Sequence, residues 1–229
     1  MSEQRKVDRK EGRKMKLPSA QRVGVFVDVQ NLYYSARFIY NAKVNFKTIL
    51  EDAVQGRNLI RAIAYVIRAE EEVKKEAFFE ALHKIGFEVK AKDLQVFYGG
   101  AKKGDWDIGI AMDAIELAPK LDTVVLISGD GDFVPLVEHL KRALGCRVEV
   151  MCFGKSGSSK LIEAADSFID LDSNPRRYLI KKISAREAER TSGEEKFASQ
   201  RLVPETHLMS GKGAEIEKVR RKGGLEELD

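Results

Sequence analysis

Scarcities come first in this 229-residue sequence: two cysteines, three histidines, one tryptophan and no long apolar run. Cys146 and Cys152 lie in or beside an apolar, strand-like stretch, and neither sits in a C-x-x-C pair or near a histidine. That excludes a disulfide framework and a zinc site. His83 and His139 fall within helical periodicity with no second titrating partner at a fixed spacing. No Ser-His-Asp or Cys-His arrangement can be assembled, so acidic residues alone remain for chemistry. The first twenty residues are basic and polar with no apolar leader segment, and nothing approaches the roughly 20 apolar residues that span a bilayer. The expectation is a soluble, cytoplasmic protein with no membrane partner.

What the chain does have is charge, unevenly spread. Residues 1–22 carry 8 Lys/Arg against 3 Asp/Glu, residues 23–174 carry 19 against 23, and residues 175–229 carry 13 against 10. An acidic body between basic ends suits a site that gathers cations while the ends attract a polyanion; basic ends that only aid solubility are the plainer alternative. A domain of ordinary size fits residues 22–172, leaving a basic N-terminal tail over 1–21. After Asp172 apolar content falls and Gly and Ser recur, so 173–229 is expected to be a charged, flexible tail. Oligomeric state is not legible.

Within the body, β-branched runs alternate with amphipathic stretches, the pattern of β-α units feeding a mainly parallel sheet. Strands are expected at 23–28, 62–67, 87–91, 123–128 and 147–153, and helices at 46–54, 73–85, 108–118, 133–143 and 158–165. Gly86 and Gly145 stand where helix C-terminal caps belong. Residues 93–100 read either as an edge strand or as a hairpin.

Three segments could carry chemistry. In "VGVFVDVQNL" an apolar strand ends in Asp28, and open α/β sheets bind ligands beyond the carboxyl ends of their strands. A helix starts near Asn31, and either Asn31 or Asp28 could simply cap it. In "VVLISGDGDFVPL" a strand ends at Ser128 and is followed by Asp130 and Asp132. Two carboxylates beside Asp28 would repel unless a cation lay between them, although Asp132 could instead cap the next helix. In "KKGDWDIGIAMDAIELA" the helical period puts Ile108, Ala111, Ile115 and Ala118 on the buried stripe with Asp107 leaning towards it. Asp113 falls on a more polar side, as a rim residue or a partner of a neighbouring group. Asp105 reads as a loop charge, and Trp106 as a packing residue. The loop "FGKSGSSK" offers Lys155, Ser156 and Lys160 as phosphate contacts, but it is not a P-loop, since Glu149 stands where the first glycine belongs. Lys102 and Lys103 could meet a nucleic-acid backbone; both groups read equally as solvated loops.

Together, "FVDVQNL", "KKGDWDIGIAMDA" and "LISGDGDFVPLV", in this order, resemble the NYN domain and its LabA-like branch within the PIN-like nuclease superfamily. The resemblance covers residues 22–172, down to "AADSFIDL". It implies a three-layer Rossmann-like α/β domain with a mainly parallel sheet in strand order 3-2-1-4-5. It also implies a Mg²⁺- or Mn²⁺-dependent ribonuclease whose acidic cluster falls on Asp28, Asp107, Asp130 and Asp132, with Asn31, Asp113 and Ser128 around it. RNA as partner comes from the resemblance alone, for nothing in the sequence reads a 2′-hydroxyl. The competing expectation is a regulatory RNA- or metal-binding module of the same fold without turnover. A Toprim-type phosphotransfer site is disfavoured, because that fold wants a glutamate where Asp28 stands.

Overall fold

The computed structural model describes residues 20–68, 73–93, 95–96, 102–103 and 105–182. In chain order the elements are β1 (Arg22–Asp28), α1 (Val29–Tyr40), β2 (Ala42–Val44), α2 (Phe46–Val54), β3 (Asn58–Arg68), α3 (Val73–Ile85) and β4 (Glu88–Asp93). There follow β5 (Gln95–Val96), β6 (Lys102–Lys103), α4 (Asp107–Leu117), β7 (Thr123–Ile127), α5 (Val134–Arg142) and β8 (Arg147–Cys152). The last are α6 (Ser159–Ala164), β9 (Ser167–Asp170), α7 (Pro175–Tyr178) and β10 (Leu179–Lys182).

Six strands form one sheet in the order β4-β3-β1-β7-β8-β9, with every pairing parallel. Its first five strands are the expected 3-2-1-4-5 arrangement; β9 adds an edge strand that four half-buried residues did not announce. Within the segment 93–100, Gln95–Val96 form β5, which pairs antiparallel with β6; residues 94 and 97–100 lie outside the described residues.

Strand alternation sorts the apolar residues into two cores, one on each face. Val23, Val25 and Val27 of β1 face α1, α2 and α3 in one core, together with Val125, Ile127 and Met151. Phe26 faces the other way, with Val124, Leu126, Val148 and Val150, towards α4, α5 and α6. Asp28 shares the parity of Phe26 and therefore belongs to the α4 side. On α4 the buried positions are Ile110, Ala114 and Leu117, whereas Ile108 is 76% exposed. This corrects the expected stripe by about one residue, or roughly 100° around the helix. Asp107 still leads the buried face, three residues ahead of Ile110. The reason is local: Trp106 donates its Nε1–H to the Val66 carbonyl at 3.0 Å and so sets the rotation with which the helix begins.

Residues 175–182 lie within the expected flexible tail, yet they carry α7 and β10. Leu179 pairs with Val44 of β2, and the Tyr178 side chain is buried, with its hydroxyl donating to Asp52 at 2.9 Å. The ordered body thus extends past Asp172. Apolar content averaged over the segment concealed one buried tyrosine and a short strand.

Candidate metal centre

At the carboxyl edge of the central strands three elements bring acidic residues together. β1 ends in Asp28, which is buried and caps α1, its Oδ1 accepting from the Asn31 backbone N–H at 3.0 Å. Asp28, not Asn31, is therefore the cap. The Asn31 side chain instead accepts from the Gly129 N–H at 2.9 Å, joining α1 to the turn that follows β7. Ser128, fully buried, donates its hydroxyl to Asp28 Oδ2 at 3.3 Å and accepts from the Asp130 N–H at 3.2 Å. Asp130 caps the short turn Gly131–Phe133 by accepting from the Asp132 N–H at 3.0 Å. The cap of this turn is Asp130, which leaves the Asp132 carboxylate available to the cluster.

One carboxylate oxygen each from Asp107, Asp130 and Asp132 lies within 4.8 Å of the others. Asp28, expected in the same set, lies outside that group, with both of its oxygens engaged by Asn31 and Ser128. It is nevertheless coupled to the cluster. Burial pushes its carboxyl up to about 6, the Asn31 N–H acts the other way, and the negative charges of Asp107 and Asp130 raise it further.

Asp113 is held elsewhere. It accepts from the Tyr65 hydroxyl at 2.6 Å and from Lys90 Nζ at 2.7 and 2.9 Å, so it serves as a structural anchor between α4 and strands β3 and β4. Its expected place in the motif corresponds to no place in the carboxylate group. Nothing in the sequence singled out Tyr65 or Lys90, because the pairing arises only when the edge strand is laid against the helix.

The loop after β8 packs directly on the Asp130 turn. The Ser158 N–H donates to the Gly129 carbonyl at 2.9 Å, and a Cβ on Gly129 would meet Gly157 Cα at 3.0 Å. Ser156 donates to Ser35 Oγ at 2.9 Å. Lys155 donates to the Tyr40 hydroxyl at 3.1 Å, and Tyr40 in turn bonds Asp172. Ser156 and Lys155 therefore brace this loop against α1, while Lys160 is exposed on the first turn of α6. Lys102 and Lys103 form β6; their side chains lie outside the described residues.

The chain is thus of the class of Rossmann-like α/β domains that gather carboxylates at the carboxyl edge of their central strands, where open α/β sheets bind ligands. Residues 22–172 match the NYN domain, and the chain belongs to that family, part of the PIN-like nuclease superfamily. It is similar to the low amplitude and bright protein LabA of Synechococcus elongatus, 27% identical over 166 residues, covering 66% of this chain and 84% of the relative. It also resembles the crystal structure of a protein of unknown function from Vibrio parahaemolyticus. There the identity is 36% and the TM-score 0.65, over 72% of this chain and 100% of that one. Among the described residues no helix is long and apolar enough to cross a membrane.

Proposed function

We propose that this chain is a divalent-metal-dependent ribonuclease in which Asp107, Asp130 and Asp132 hold Mg²⁺ or Mn²⁺. The observation that carries the reading is the convergence of three carboxylate oxygens within 4.8 Å of one another, in a chain of a nuclease-like family. The donor chemistry fits: all three groups are hard oxygens with no thiolate or imidazole among them, which suits Mg²⁺ or Mn²⁺ rather than a softer ion. No lysine, arginine or histidine is paired with Asp130 or Asp132 among the described residues, so their mutual repulsion calls for an external cation.

When bound, such a cation supplies Lewis acidity, lowering the pKa of water and offsetting negative charge on a phosphoryl oxygen. The chain's own residues prepare the place. Asn31 ties the Asp130 turn to α1 through Gly129, and Ser128 links that turn to Asp28. Asp28 adds a buried charge to the inner side of the cluster, and a cation nearby favours its ionised form. In-line attack of water on phosphorus with departure of the 3′-oxygen would leave a 5′-phosphate and a 3′-hydroxyl. RNA as the substrate is supported by the family alone.

The test is incubation of the purified protein with labelled single-stranded RNA in Mn²⁺, in Mg²⁺ and in EDTA. Cutting is expected with metal and none with chelator. Asp130→Asn, which keeps the cap acceptor but removes the charge, should retain the fold by circular dichroism and lose cleavage at least a hundredfold, on the order of a removed catalytic charge. Binding without cutting by the wild type would favour a regulatory module, and wild-type rates in the variant would remove Asp130 from the site.

A further inference from the structure

Along β4, alternate residues share a side. Val89 packs into the core beneath α1 to α3, so Glu88, Lys90 and Lys92 look the other way, towards α4. Their partners change systematically along the strand. Glu88 is paired with Arg61, and Lys90 with Asp113 at 2.7 Å. Lys92, nearest the carboxyl end, has no carboxylate partner among the described residues; its ammonium stands 4.8 Å from the centre of the Trp106 ring. That ring is itself fixed. Its Nε1–H donates to Val66, it lies 5.3 Å from the Tyr65 ring, and a Cβ on Gly109 would sit 2.6 Å from its edge.

Trp106 immediately precedes Asp107, so the indole links Lys92 to the acidic cluster. The register gives the scale. Asp28 is level with Tyr65, and Tyr65 with Lys90. Lys92 is therefore two strands across from Asp28 and two residues further along, about 10 Å and about 7 Å by ordinary strand spacing. It stands to one side of the carboxylates, near the carboxyl end of β4 and past the level at which β1 ends.

We infer that Lys92, held over Trp106, binds a backbone phosphate of the polynucleotide whose neighbouring bond the acidic cluster addresses. The inference rests on the nuclease reading for where the strand lies. A cluster of carboxylates repels a polyanion, so a cation must hold the strand from the side. Lys90 is already neutralised by Asp113 and has little to offer. A cation over an aromatic face keeps its N–H donors for another acceptor while its position is restrained. Neutralising a phosphate then releases a condensed counterion.

Binding of labelled oligouridine to the full chain would be measured in EDTA, so that the strand stays intact, across a range of salt. Lys92→Gln should bind about fivefold more weakly at 0.1 M salt, with a log–log salt slope shallower by about 0.7, the value of one single-strand phosphate contact. Lys92→Arg should restore both. In the wild type, needing no variant, RNA should protect Lys92 from acylation by an N-hydroxysuccinimide ester. In metal, the defect of Lys92→Gln should appear in KM rather than kcat. Unchanged affinity and slope in Lys92→Gln, or no protection of Lys92, overturns the inference even if the protein cleaves RNA. Lys92-dependent binding by a protein that never cleaves leaves Lys92 in place and removes the nuclease reading instead.

Discussion

At the scale of single residues, the fold changes the chemistry of Asp28 more than that of any other carboxyl whose shift is resolved. Its ordinary value of 3.8 is pushed up to about 6, with burial the largest cause. The folded form therefore holds more protons than the unfolded form between those two values, so stability falls as pH rises through that window and the loss is complete above it. Two units correspond to about 3 kcal/mol. We expect Asp28→Asn to melt higher than the wild type at pH 7 in EDTA, with the difference shrinking towards pH 4. Melting curves for both proteins at several pH values check this; a difference that does not depend on pH would show that the buried charge is relieved by other means. Asp113 supplies the contrast. It is an aspartate of the same helix as Asp107 and six residues on, yet Lys90 and Tyr65 occupy its oxygens.

At the scale of elements, the site depends on two turns that interlock at glycines. The turn after β7 carries Asp130 and Asp132, and the loop after β8 lies against it with Gly129 and Gly157 in backbone contact. A Cβ on Gly157 would stand 2.7 Å from Cys152 Sγ, inside van der Waals contact, and Cys152 is buried at the end of β8. Gly157→Ala must therefore move either the thiol or the loop. Overpacking of this kind costs about 1–3 kcal/mol. The loop is the softer side, and moving it shifts Ser158 and Gly129 with it. The expected outcome is a lowered melting temperature together with weaker Mn²⁺ binding by calorimetry; an unchanged Mn²⁺ affinity would mean that the two turns are not coupled. On α4 the exposed Ile108 shows how one contact, Trp106 to Val66, rotates a helix away from the face its sequence period suggests.

At the scale of the whole molecule, the two faces of the sheet hold separate cores, and polar links tie elements across the edges. Arg57, in the turn between α2 and β3, makes two bonds to Glu149 of β8 at 2.8 and 3.1 Å, with both side chains buried. Such a pair fixes position more than it stabilises, since desolvation offsets much of the attraction. Charge distribution also changes meaning once the fold is known. Residues 175–229 carry a surplus of three positive charges, but Arg176, Arg177, Lys181 and Lys182 lie in α7 and β10. Without them, residues 183–229 carry 9 Lys/Arg against 10 Asp/Glu, whereas residues 1–19 carry 7 against 3. A chain beginning at residue 20 should consequently bind RNA more weakly and with a shallower salt dependence, while one ending at residue 182 should bind as the full chain does. Salt titrations of the two shortened proteins distinguish these outcomes; equal affinities for both would make the N-terminal charges bystanders.

The sequence by itself determined the β-branched runs that became β1, β3, β4, β7 and β8 and the helical stretches that became α2 to α6, whereas the order of the strands in the sheet came only through the resemblance to a known family. The runs and helices were legible because strand alternation and helical spacing are local patterns. The sequence also placed Asp28, Asp107, Asp130 and Asp132 at one edge, since each ends a strand, opens a helix or lies in the turn between. Tertiary structure alone decided which of these meet. Asp132 joins Asp107 and Asp130, Asp28 lies behind them as a buried cap, and Asp113 turns to Lys90. Those outcomes depend on side-chain directions and on distances between strands far apart in sequence, to which no periodicity along the chain is sensitive. The single strand β9 and the return of α7 and β10 onto β2 were hidden for the same reason: their stability comes from partners more than a hundred residues away or from a sheet edge, not from any pattern of their own.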